Sequence, residues 1–218
     1  MRRRQLIMVT TLGGLAATAS AGWLAWRQNS PQAVEAIDDV CIVAPTFAYD
    51  PASGLAPTAP REVPNDARCP VCGMFPSRNR RWAAQVIFSD GVVQYLDSPL
   101  SLFHYLRRVG RYTPGRDAAD IAAVYVSDQA TGDWLEAEQA IYVHGSTLLG
   151  PMRAGNLPAY AFEAQARALV RLRGGELMSA AALRRSLPPG LQKLAPHAHP
   201  GAEQAFLFHS ESINQRFI

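Results

Sequence analysis

The sequence predicts an α+β fold made of two strand-strand-helix-strand units. Three observations predict it. Two short β-prone runs flank Ser89-Asp90-Gly91, a stretch near Ser98 reads as a capped helix, and the same order of elements roughly recurs further on. The runs are Trp82–Phe88 and Val92–Leu96, and the Ser-Asp-Gly between them is hairpin chemistry. Asp90 and Gly91 read as turn residues, not as catalytic ones.

"DSPLSLFHYLRRVG" follows. Asp97 or Ser98 caps this helix, Pro99 suits its first turn, and Leu102, Leu106 and Val109 repeat at i, i+4, i+7. Gly110 is expected to stop it. "IAAVYVSD" gives a third strand. The second round opens with Trp134–Leu135 and Ala140–His144 as strands and continues through the loop "TLLGPMRAGNLP". "AYAFEAQARALVRLRGG" then reads as a helix and "GELMS" as a final strand. The expected division is 1–27 leader, 28–68 linker, 69–187 folded domain and 188–218 tail. The linker, "PTFAYDPASGLAPTAPREVPND" above all, is rich in Pro and Ala and has no period, so it is expected to be loose. The tail is expected to be peripheral.

The leader carries Arg2, Arg3 and Arg4 ahead of an apolar run to Trp26, the layout of a secretory signal or a membrane anchor. With the arginines held inside, the remainder is expected outside the cytoplasmic membrane, in the periplasm or its equivalent. Residues 1–27 hold four arginines and no acid, so the formal charge of +3 becomes −1 for residues 28–218. A nearly neutral exported part has no basic stripe and sets nucleic-acid binding aside.

"DARCPVCGMFP" holds the chemistry. Haem attachment needs C-x-x-C-H, and Gly73 follows Cys72. Zinc needs four ligands, and the only other cysteine is Cys41, in the linker. Iron–sulfur clusters fail the same count. Thiol–disulfide exchange stays open, although Gly73 and Pro76 oppose the helix that usually starts at such a pair. A structural disulfide also stays open. A soft metal fits best: thiolate and thioether select Cu(I), and Cys72 and Met74 stand either side of a glycine. Met152, in an irregular Gly-Pro loop, is a candidate third ligand. Met178 reads as core. His104 and His144 read as structural histidines that could add a ligand, and His197 and His199 as solvated tail residues. No Ser-His-Asp pattern, carboxylate pair or phosphate-cradling loop supports an enzyme beyond the C-x-x-C option.

These residues resemble a known family. "ARCPVCGMFP", "RWAAQVIFSDG", "YLDSPLSLFHYL", "DWLEAEQAIYVHGS", "GPM" and "RGGEL" together are similar to the nitrous oxide reductase accessory proteins, NosL, from about Asp66 to Ala181. The resemblance implies a non-enzymatic, extracytoplasmic Cu(I) chaperone that supplies the copper–sulfur centre of nitrous oxide reductase and works with that enzyme's membrane-bound assembly machinery. It implies two strand-strand-helix-strand units, as in part of organomercurial lyase. It puts the metal ligands at Cys72, Met74 and Met152, with Cys69 an alternate ligand or a redox partner of Cys72. Many relatives are lipoproteins. This chain shows a plain leader instead.

Overall fold

The computed structural model describes residues 44–153 and 156–193. The leader, Cys41 and the histidines at 197 and 199 lie outside the described residues. Among the described residues, no helix is long and apolar enough to cross a membrane.

The fold is α+β with two antiparallel sheets. In the first, β1 (Ala84–Phe88) pairs with β2 (Val93–Leu96) and with β3 (Ile121–Ser127), and β4 (Trp134–Glu136) adds to β3, giving the order β2-β1-β3-β4. In the second, β5 (Ile141–His144) lies between β6 (Ala159–Tyr160) and β7 (Glu176–Ser179). Helix α1 (Pro99–Arg107) and the short α2 (Val109–Tyr112) join β2 to β3. Helix α3 (Glu163–Arg173) joins β6 to β7, and α4 (Ala180–Arg185) follows β7.

The hairpin forms where Ser89-Asp90-Gly91 predicts it. The Asp90 carboxylate accepts from Val92 N–H at 3.1 Å, and Gly91 supplies a φ of 77°. Four expectations are corrected. Trp134–Leu135 belongs to the first sheet, because its register sets Leu135 opposite Val126 of β3. The second unit's second strand is Ala159–Tyr160, where the sequence pattern predicts the start of a helix; pairing with Ile141 and Tyr142 holds it extended. Helix α3 therefore begins at Glu163. Gly110 does not end the first helix. Arg108, at φ −148° and ψ 54°, breaks it earlier, and Gly110 sits inside α2.

The fourth correction concerns the linker. Residues 44–68 are irregular but not loose. Phe47 bridges to Val93, Val63 and Ala67 are buried, and Tyr95 and Tyr125 donate to the carbonyls of Glu62 and Thr58. Arg61 exchanges backbone hydrogen bonds with the side-chain amide of Gln85, at 3.1 and 3.2 Å. This strap explains why every residue of β1 is buried. One side of the strand faces the main core through Ala84, Val86 and Phe88. The other faces the strap through Ile87, with Val93 and Tyr95 of β2 alongside.

The main core joins the first sheet, α1 and the inner side of the second sheet. Phe103 of α1 meets Tyr142 of β5 edge-on, ring centres 5.2 Å apart. The start of the expected tail belongs to it as well. Leu191 is buried beside Leu187, the last residue of the expected domain, and His104 donates from Nε2 to the Leu191 carbonyl at 2.8 Å. Met178 packs against this core, as the sequence predicts.

Candidate metal centre

Cys69–Met74 is a loop closed on itself. The Cys69 N–H donates to the Met74 carbonyl at 2.9 Å, and Gly73 N–H donates to the Cys69 carbonyl at 2.8 Å. Gly73 takes a φ of 74°, a conformation that disfavours any residue with a Cβ. The glycine therefore lets Cys72 and Met74 belong to one tight turn. Pro76 then opens a 3-10 segment, Pro76–Trp82, so no α-helix starts at the cysteines.

Both cysteines are free thiols. Cys69 is fully buried in the main core, whereas Cys72 is half-buried and packs at its margin. Asp97 meets them from the end of β2. The two Sγ atoms and a carboxyl oxygen of Asp97 all lie within 4.8 Å of one another. Asp97 is 1% exposed, and its Oδ2 is buried with no hydrogen-bond partner. A buried carboxyl oxygen without a partner is costly unless something fills its place.

Sequence reasoning missed Asp97. Asp97 and Ser98 are both good capping residues. The structure gives the cap to Ser98, whose Oγ accepts from Ser101 N–H at 3.3 Å, and so leaves the aspartate for the thiols. Ser101 Oγ in turn donates to Cys72 Sγ at 3.8 Å. The first turn of α1 thus lies beside the half-buried sulfur, where its positive end favours an anion.

The other local charges oppose ionisation. The thiol of Cys72 is pushed far above its ordinary range by hydrogen bonding to Cys69, then by burial, then by the electrostatic influence of Cys69 and of Asp97; only a backbone hydrogen bond from Met74 works the other way. The free site therefore holds its proton on Cys72, and a metal must displace it.

Met74 is half-buried in the same loop. Met152 stands in a turn in which Arg153 N–H bonds to the Gly150 carbonyl at 3.0 Å. Its side chain packs against the core that Cys72 borders. Gly150 rests on the Trp82 ring, where an added Cβ would lie 3.4 Å from Cζ3. The Met152 turn thereby leans on the end of the segment that follows the cysteine loop. His104 is spent on Leu191, and His144 sits on β5 opposite Glu176 with its Nδ1 unpartnered. A cavity of about 340 Å³ runs along β3, between Tyr125, Glu136 and Arg184, and none of the sulfur residues lines it.

No curated protein matches this chain. Among solved structures, the chain is similar to the copper chaperone NosL from Shewanella denitrificans at 19% identity, with a TM-score of 0.47, over 58% of this chain and 96% of that one. The family model for NosL matches residues 60–188, more than half of the chain and all of the elements from β1 to α4. This chain belongs to the NosL family.

Proposed function

We propose that this protein is an extracytoplasmic Cu(I) metallochaperone that delivers copper for the copper–sulfur centre of nitrous oxide reductase. The observation that carries the reading is the Cys69–Met74 loop: a half-buried thiol with a buried thiol and a buried carboxyl oxygen within 4.8 Å, and a half-buried thioether two residues on; Met152 packs against the core that Cys72 borders. Soft sulfur donors select Cu(I), which accepts two or three ligands. Cys72, Met74 and Met152 are the proposed ligands, with Cys69 within reach as an alternate. Asp97 adds a buried negative charge that balances the cation.

Cu(I) held through Cys72, at the half-buried margin of the core, would be within reach of a partner's ligand. A ligand of the receiving site can enter before Cys72 leaves, so the ion passes by exchange and is never free in water. The thiolate gives affinity, and the two thioethers keep it low enough for release. The N-terminal segment would direct the chain across the cytoplasmic membrane or hold it there. The reductase and its membrane-bound assembly machinery are the proposed partners.

A thiol–disulfide oxidoreductase is the alternative. It needs an attacking thiol whose pKa is depressed at a helix N-terminus. Here burial and the neighbouring cysteine push Cys72 the other way, in a turn ahead of a 3-10 segment. The test is transfer. The Cu(I)-loaded chain is mixed with copper-free reductase, and the copper–sulfur chromophore is followed. The parent should build it, and Cys72→Ser should not. Equal transfer by both would end this assignment.

A further inference from the structure

The two segments that hold the proposed ligands carry charge of one sign. Residues 67–89 contain Arg68, Arg78, Arg80 and Arg81 and no acid, and residues 139–162 contain Arg153 and no acid. All five arginines are exposed. Among the described residues the ion pairs are Arg116–Asp90, Arg167–Glu163 and Arg184–Glu138, so none of the five is paired with a carboxylate. Asp66 stands two residues before Arg68 without pairing to it, and Asp97 is buried. Arg81 alone is tied down, with Nη1 donating to the carbonyls of Gln129 and Ala130 at 3.1 and 2.7 Å.

The other four sit beside the sulfur residues. Phe75 follows Met74, and the guanidinium carbons of Arg68 and Arg78 lie 4.7 and 4.9 Å from its ring centre. Arg80 shares the 3-10 segment with Arg78. Arg153 follows Met152, in the turn whose Gly150 rests on Trp82 at the end of that segment. Leu149, three residues before Met152, is 64% exposed. Exposed arginines on the same loops as an exposed leucine have the composition of a protein interface, where arginine is enriched and apolar contacts lie within a polar rim.

We propose that Arg68, Arg78, Arg80 and Arg153 form the docking face for an acidic protein surface on the copper-receiving partner, with Leu149 as its apolar contact. The proposal rests on the chaperone reading above and adds to it the face that docks and the charge of the partner. Residues 28–218 carry a formal charge of −1, so the exported part as a whole does not attract an acidic partner. The local field of these arginines does, and it turns Cys72 toward the incoming ligand. Guanidinium forks pair bidentately with carboxylates, and such rim charges act chiefly on encounter rate and orientation. Anionic lipid headgroups offer the same charge, but a lipid surface would cover the loop through which copper leaves. A protein surface can carry the receiving ligand itself.

The test follows copper transfer from the Cu(I)-loaded full chain to copper-free reductase, in the presence of membranes that carry its assembly machinery. Rates are compared at about 20 mM and about 200 mM salt, across which the screening length shrinks roughly threefold. Two triple variants are run beside the parent, Arg78→Glu/Arg80→Glu/Arg153→Glu and the same three positions changed to Lys. At low salt the glutamate variant should transfer about tenfold or more slowly than the parent. The parent should slow as salt rises, and the glutamate variant should not. The lysine variant keeps the charge and should stay close to the parent. All three should take Cu(I) equally in a competition titration and unfold at the same urea midpoint. If the glutamate variant is altered in either, Arg78→Gln/Arg80→Gln/Arg153→Gln makes the comparison without charge reversal. Equal transfer rates from the parent and the charge-altered variant at low salt would overturn the docking face and leave the chaperone reading intact. Phosphatidylglycerol vesicles that bind the parent through these arginines, with the bound chain still delivering copper, would overturn it in favour of a membrane-facing surface. A parent that takes copper in the titration but delivers none at either salt would remove the chaperone reading, and this proposal with it.

Discussion

Lowering the pH by one unit should weaken copper binding tenfold for every thiol that must ionise. Cys72 begins from an ordinary value of 9.0 and is pushed well above it by Cys69, by burial and by Asp97. Across the range from about pH 6 to about pH 8.5 the free thiol therefore keeps its proton. Each Cu(I) bound through Cys72 must release one proton. The logarithm of the apparent affinity then rises by about one per pH unit, about 1.4 kcal/mol, with no plateau in that range. If Cys69 also binds as a thiolate, the slope doubles. The assay is anaerobic competition against a chromophoric Cu(I) chelator, corrected for the chelator's own protonation. A slope of zero, or a plateau beginning near neutrality, would mean that Cys72 is already a thiolate in the free protein, and the electrostatic argument would fail.

The same shift makes a prediction for the metal-free fold. Cys72 binds its proton more tightly when folded than when unfolded, so its contribution to stability should be level below about pH 9 and should be lost as the pH rises beyond it, read as the difference between the parent and Cys72→Ala in urea unfolding at several pH values. Gly91→Ala should destabilise by about 2 kcal/mol or more, because the residue sits at φ 77° and the new Cβ would lie 2.7 Å from Tyr49 Cβ on the strap. A loss under about 0.5 kcal/mol in a denaturant titration would mean that the strap is not held there. Tyr142→Phe should cost about 1 kcal/mol, since its buried hydroxyl donates to the Ala137 carbonyl at 2.8 Å and that acceptor would be left unpaired. An unchanged midpoint would show that the bond contributes nothing net.

Local chemistry was legible in the sequence, and long-range pairing was not. The hairpin around Asp90-Gly91 and the helix beginning at Ser98-Pro99 carry their own signals, and both form. Ala159–Tyr160 carries none. It is a strand only because Ile141 and Tyr142 lie beside it, and the run that follows has a helical period that extends backward over it. Trp134–Leu135 likewise owes its sheet to β3. The strap was hardest to read. A Pro-rich stretch has no period, and its Val63 and Ala67 are buried because the second face of β1 needs cover, which no local pattern reveals. At the site, Cys69, Cys72 and Met74 announce themselves by spacing. Asp97 does not, because next to Ser98 and Pro99 it reads as a cap. Its role emerges only when Ser98 takes the cap and the loop of residues 69–74 folds over the start of α1.

The central claim is that one Cu(I) is held by Cys72 with thioether help from Met74 and Met152. An anaerobic Cu(I) competition titration of the reduced chain tests it most directly, run beside Cys72→Ser and Met152→Leu. The claim predicts one copper per chain for the parent, loss of competition in Cys72→Ser, and weaker binding in Met152→Leu with stability changed by less than about 1.5 kcal/mol. A parent that leaves all copper with the competitor, or a Cys72→Ser variant that binds as tightly as the parent, would contradict it.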